Sequence, residues 1–221
     1  YIKKNFKHDF MSIVQNFENI KKELIDNNIN SKIIAVSKTF ELIHIQPLIN
    51  YGHFVYGENR VQEAKAKWEN IKKLNKSIEL HLIGGLQTNK AKDAVKLFDY
   101  IHSVDRKSLV EALKIAEEKL NFKRKYFLQV NTGDEEQKFG TRIKDLHKLY
   151  DFAKDKLNIV GLMCIPPIDQ DHKKHFETLR ELSVNLGIKE LSMGMSDDYL
   201  DAGLIGATYV RIGSKIFGLR D

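Results

Sequence analysis

Lys32-Ile33-Ile34-Ala35-Val36-Ser37-Lys38-Thr39 is an apolar β-type run closed by a lysine, and it opens a pattern that repeats to the end of the chain. A helical stretch over 41–50 follows it, then a second strand candidate at 53–57. The same alternation predicts strands at 79–83, 99–103, 125–130, 158–163, 189–192 and 207–211. Between them lie helical segments near 58–74, 87–97, 106–121, 141–156, 170–186 and 197–204. An opening helix from about His8 to Asp26 places Phe10, Ile13, Val14, Phe17, Ile20 and Leu24 on one face. Strands separated by helices and short connections argue for parallel βαβ units with right-handed crossovers. Eight such units predict an α/β protein with a (β/α)8 TIM barrel, one domain spanning 1–221. The competing doubly wound sheet lacks its signatures: no G-x-G-x-x-G follows the first strand, and no G-x-x-x-x-G-K-[ST] occurs.

Composition narrows the function. With 221 residues, 42% hydrophobic and 30% charged, the chain has the balance of a globular protein with a substantial core. No run approaches the roughly 18 apolar residues of a membrane span. Tyr1 to Phe10 carries lysines but no signal-type apolar core, so a cytoplasmic location without membrane partners is the expectation. Cys164 is the one cysteine, which excludes an intramolecular disulfide; its apolar setting over 160–165 reads as core. The net charge of +6 raises the question of nucleic acid. The lysines are interleaved with acids and not grouped with aromatics, so solvated helix faces are the better reading.

In a barrel, functional residues belong at the carboxyl ends of the strands. The first strand ends in Lys38, where burial would disfavour the ammonium form and leave the nucleophilic amine that Schiff-base chemistry needs. Pattern alone favours the blander alternative, a lysine whose stem covers apolar surface while its charge reaches water. The seventh and eighth strands end in Ser192-Met193-Gly194-Met195-Ser196-Asp197 and Arg211-Ile212-Gly213-Ser214. Gly194 and Gly213 let the backbone approach an anion, and Ser196 and Ser214 bring hydroxyl and amide donors to helix starts. Either loop alone reads as a cap and a turn. Together, at the two positions where many barrels hold phosphate, they predict a phosphate site. Arg211 lies within an apolar strand and needs a partner there, either an ion pair, with Glu58 as the candidate, or a ligand. His81 and His102 lack a third ligand at metal spacing, so no zinc site is expected. Asp197-Asp198 reads as a helix cap and not as a magnesium site.

Six runs, in order over residues 33 to 218, resemble the pyridoxal phosphate homeostasis protein family. They are Ala35-Val36-Ser37-Lys38-Thr39; Gly57-Glu58-Asn59-Arg60-Val61-Gln62-Glu63; His81-Leu82-Ile83-Gly84-Gly85-Leu86-Gln87-Thr88-Asn89-Lys90; Gly161-Leu162-Met163; Leu191-Ser192-Met193-Gly194-Met195-Ser196-Asp197; and Val210-Arg211-Ile212-Gly213-Ser214-Lys215-Ile216-Phe217-Gly218. The resemblance implies a barrel like the first domain of alanine racemase, the type III fold of pyridoxal 5'-phosphate (PLP) proteins, with PLP joined to Lys38 as a Schiff base. It puts the cofactor phosphate against Ser196, Gly213 and Ser214, and Arg211 near the pyridine nitrogen. Asn59, His81, Met163 and Ser192 would line the pocket. An arginine beside that nitrogen keeps its own proton and weakens the ring as an electron sink. Two departures from the family pattern are Gly85, where many members carry a larger residue, and the interior of the loop 132–140.

The implied function is a PLP carrier that contributes to vitamin B6 and amino-acid homeostasis, a monomer whose acceptors would be PLP-dependent apoenzymes. The alternative is a PLP-dependent amino-acid racemase. Racemisation needs a base on each face of the substrate α-carbon. In alanine racemase relatives the second base is a tyrosine from a partner subunit's second domain, and eight βα units leave no residues here for such a domain. A carrier, not an enzyme, is therefore the expectation.

Overall fold

The computed structural model describes the backbone of residues 2–135 and 139–218, and side chains from residue 12 onward. Its strands are β1 (Lys32–Val36), β2 (Val55–Glu58), β3 (Glu79–Leu82), β4 (Tyr100–Val104), β5 (Lys125–Asn131), β6 (Thr141–Arg142), β7 (Asn158–Met163), β8 (Glu190–Ser192) and β9 (Tyr209–Ile212). The strands pair in parallel in the order β4-β3-β2-β1-β9-β8-β7-β5, and a β4–β5 pairing closes the ring. The expected eight-stranded α/β barrel is present. Its helices are α1 (Ile2–Asp26), α2 (Leu42–Tyr51), α3 (Val61–Leu74), α4 (Ala91–Leu97), α5 (Lys107–Leu120), α6 (Ile143–Ala153), α7 (His172–Leu186), α8 (Tyr199–Ile205) and α9 (Ser214–Phe217).

Strand alternation sorts the apolar residues into two layers. Ile34, Val36, Ile83, Tyr100, Phe127, Met163 and Tyr209 form a cluster inside the barrel. Ile33, Ala35, Tyr56 and Leu80 belong to a second cluster, with Trp68 of α3, Leu109 of α5 and Phe176 of α7. Gly57 has no side chain because the interior has no room: a Cβ there would lie 2.8 Å from Ile34 Cγ2.

On α1, Ile13, Phe17, Ile20 and Leu24 are buried at three- and four-residue spacing, while Val14 is only half-buried. Phe10 lies outside the described side chains. The stripe packs this helix against α2 and α9, and Asn16 Nδ2 donates to the Ile216 carbonyl at 3.1 Å. Several expected boundaries move, two of them because strand pairing claims the first residues expected of a helix. The helix expected from residue 58 begins at Val61, because Glu58 completes β2 and Asn59-Arg60 turn the chain. The helix expected from residue 141 begins at Ile143, because Thr141 and Arg142 pair as β6 with Val130 and Asn131.

Candidate functional site

β1 ends at Val36, and Ser37 to Phe40 form a tight turn in which the Phe40 N–H donates to the Ser37 carbonyl at 3.2 Å. Lys38 is half-buried in this turn, at the carboxyl rim of the barrel. Both neighbours are held by the wall behind them. Ser37 Oγ donates to Glu58 Oε1 at 2.8 Å, Lys67 Nζ donates to the Ser37 carbonyl at 2.8 Å, and the Thr39 N–H donates to Glu63 Oε1. Thr39 has φ +67°, a left-handed conformation that costs a β-branched residue energy and that these contacts hold. Glu58 Oε1 also accepts from Lys67 Nζ at 2.8 Å and Trp68 Nε1 at 2.9 Å. Glu58 therefore pairs with Lys67, not with Arg211. Of the two alternatives for Arg211, the Glu58 ion pair is absent: the Glu58 carboxylate faces α3, while Arg211 faces the barrel interior.

Arg211 is buried, 3% exposed, and no carboxylate among the described residues lies within 4 Å of its guanidinium. Nη1 donates to Ser192 Oγ at 2.8 Å and Nη2 to the Cys164 carbonyl at 2.9 Å. Ser192 Oγ is in turn 2.9 Å from His102 Nδ1; His102 Nε2 is 2.9 Å from His81 Nδ1; His81 Nε2 is 3.0 Å from Glu79 Oε1. Burial lowers the pKa of both histidines, helped at His102 by the His81 and Arg211 charges. Cys164 is fully buried and its thiol is pushed up to about 12 by burial, which keeps it an unreactive core residue.

The loops after β8 and β9 meet. Ser214 Oγ donates to Ser196 Oγ at 3.0 Å, and the Lys215 N–H reaches the same oxygen at 3.4 Å. Ser196 therefore serves α9 and does not cap α8, whose cap position belongs to Asp198. The Asp198 carboxylate accepts the Met195 N–H upstream and makes no bond to the helix it precedes. Gly194, at φ +88°, turns the loop so tightly that a Cβ would lie 2.5 Å from Ala202 Cβ.

Strand register orders the expected site residues. Ala35 pairs with Ile212 and Val36 with Gly57, so Lys38, Asn59, Gly213 and Ser214 share the rim on the neighbouring strands β2, β1 and β9. Met163 pairs with Ser192, and both lie with Arg211 in the barrel interior, buried. His81 of β3, level with Gly57, also lies buried in the interior, with both ring nitrogens taken, by His102 and Glu79. Sequence reading missed His102 as part of this chain and Lys67 behind Lys38. Gly85 and the 132–140 loop, two departures in sequence, meet in space: the Phe139 ring comes within 3.0 Å of where a Gly85 Cβ would sit.

The model of the alanine racemase N-terminal domain matches residues 9–221. The pyridoxal phosphate homeostasis protein of Aquifex aeolicus is 40% identical over 201 residues, covering 86% of this chain and 87% of that one. This chain belongs to the pyridoxal phosphate homeostasis protein family. The Escherichia coli K12 member is 35% identical over 207 residues, covering 86% of each chain. The solved structure of PipY from Synechococcus elongatus with PLP bound is 32% identical, with a TM-score of 0.83 over 93% of this chain and 100% of that chain. Alanine racemase of Clostridium difficile, 14% identical with a TM-score of 0.71 over 57% of its length, shares the barrel fold.

Proposed function

We propose that this protein carries PLP as a Schiff base on Lys38 and contributes to intracellular PLP, or vitamin B6, and amino-acid homeostasis. The observation that carries this reading is Arg211. A buried guanidinium with no carboxylate in pairing distance needs compensation, and its strand leads to the rim that Lys38 shares with the joined loops after β8 and β9. The family's names and the PLP-bound PipY structure support the same cofactor. When bound, PLP supplies an aldehyde that condenses with a lysine amine with loss of water, and a pyridine ring that withdraws electrons.

The chain's own residues would divide the work. Ser196, Gly213 and Ser214 would hold the phosphate with hydroxyl and amide donors. Arg211 would face the pyridine nitrogen and, keeping its proton, would leave that nitrogen unprotonated. Asn59, Met163 and Ser192 would line the ring's pocket, with His81 supporting from below. The turn pinned by Glu58, Glu63 and Lys67 would hold Lys38 in place. Relatives are named as homeostasis proteins and not as enzymes, in line with a carrier. Cytoplasmic PLP-dependent apoenzymes are the class of acceptor such a carrier would serve, and it would act as a monomer.

An absorption spectrum tests the assignment. Mixed with PLP, the protein is expected to show the visible band of a lysine Schiff base, and Lys38→Ala is expected to lose it. An unchanged band in that variant would sink the role given to Lys38. Lys38-dependent interconversion of alanine enantiomers would overturn the carrier reading in favour of a racemase.

A further inference from the structure

We infer that Ser192, His102, His81 and Glu79 form a one-way hydrogen-bond chain that fixes Arg211 for its ligand, which makes the two histidines positioning residues. The chain is an inference from this protein's own geometry; only its ligand-side consequence rests on the PLP carrier reading.

A guanidinium donates and never accepts. Ser192 Oγ therefore accepts from Arg211 Nη1 at 2.8 Å, and with His102 neutral and protonated on Nε2 the serine's own hydrogen goes to His102 Nδ1 at 2.9 Å. His102 Nε2 donates to His81 Nδ1 at 2.9 Å, and His81 Nε2 donates to Glu79 Oε1 at 3.0 Å. The order is fixed from the far end, because the Glu79 carboxylate, its pKa lowered, only accepts. Neutral His81 therefore donates from Nε2 and accepts at Nδ1, and neutral His102 does the same. The Ser192 hydroxyl, whose oxygen could otherwise accept twice, then gives its hydrogen to His102. Each dipole turns its lone pair toward the guanidinium and its hydrogen toward the carboxylate, so the links polarise one another and favour both end charges.

The chain crosses the barrel interior, from β9 and β8 on one wall to β4 and β3 on the other. It joins a buried cation to a carboxylate whose side chain is 34% exposed. Ring stacking holds its middle. His102 lies on Phe127 with centroids 4.2 Å apart and planes at 19°; His81 lies on Tyr100 at 4.4 Å and 6°. An imidazolium at His102 would aim a second donor at the serine oxygen that already accepts from Arg211.

Nuclear magnetic resonance of the ligand-free protein reads the chain directly. At pH 7, ¹⁵N shifts should show both histidines neutral and protonated on Nε2. Exchange of the Arg211 guanidinium protons should be slow in the wild type and about tenfold faster in Ser192→Ala and His102→Phe. The first loses one charge-assisted hydrogen bond, and the second leaves the Ser192 hydroxyl free to turn away from Arg211. His102→Gln keeps an acceptor at one end and a donor at the other, and should bring exchange back to within about threefold. The PLP dissociation constant should follow the same order, about tenfold weaker in the first two variants and largely restored in the third. If His102→Phe fails to fold, Ser192→Ala and His102→Gln carry the comparison. A proton on Nδ1, an imidazolium at pH 7, or unchanged Arg211 exchange in the variants overturns the chain. Faster exchange with unchanged PLP affinity overturns the positioning role. A wild type with the expected tautomers and exchange that takes up no PLP would uphold the chain and defeat the carrier reading.

Discussion

Glu58 is a fully buried carboxylate whose Oε1 takes three donors, from Ser37, Lys67 and Trp68, while Oε2 has none. Removing the one cation would strand that charge. Lys67→Met should therefore cost about 3–5 kcal/mol in urea unfolding, and Glu58→Gln combined with it should cost less than the two single changes added together. A neutral Lys67→Met would show that the lysine is not the anchor. Sequence made Lys38 legible because the residue closes an apolar strand. Lys67 stayed illegible. In Ala64-Lys65-Ala66-Lys67-Trp68 it reads as one more lysine on a solvated helix face, and only the fold shows Lys67 turned inward, its side chain 9% exposed, toward a carboxylate nine residues away. Arg211 was legible as a buried charge needing a partner, but periodicity carries no information on which wall of the barrel supplies one.

Helix α1 was readable from its spacing because Ile13, Phe17, Ile20 and Leu24 repeat at helical period and are buried. Its packing against α9, the helix that begins at Ser214, is a tertiary fact. Ile20, 1% exposed, is the test: Ile20→Ala should cost about 2–5 kcal/mol and lower the melting temperature by about 5 °C or more. A shift of less than about a degree would mean that the helix can be loosened without consequence. β6 escaped sequence reading for a physical reason. Two residues are too few to show an alternation, and Thr141-Arg142 extend only because Val130 and Asn131 offer them a ladder.

For the whole molecule, pH and ligand are the levers. His53 is half-buried and desolvation lowers its pKa to about 4, while an unfolded histidine titrates near 6.5. Above pH 6.5 both states are neutral and the folded state keeps its full advantage. As pH falls toward 4 the unfolded chain takes up a proton that the folded chain refuses, so stability is lost, by up to about 3 kcal/mol for His53. The lowered pKa values of His81 and His102 act in the same direction. Urea unfolding at pH 7.5 and 5 should show this loss, reduced in His53→Gln; equal stability at the two pH values would refute it. PLP at a hundred times its dissociation constant should stabilise the fold by about 2.7 kcal/mol, raising the melting temperature by about 5–10 °C. Lys38→Ala should lose most of that rise.

The order of the eight barrel strands and the helices between them, the barrel they close, and the residues at the strand ends could be read from the chain, because strand and helix periods are local properties of neighbouring residues. The pairing of charges could not. Glu58 with Lys67, Arg211 with Ser192 and the histidines, and Gly85 beneath Phe139 join residues brought together by ring closure and side-chain direction, and neither is written in local spacing.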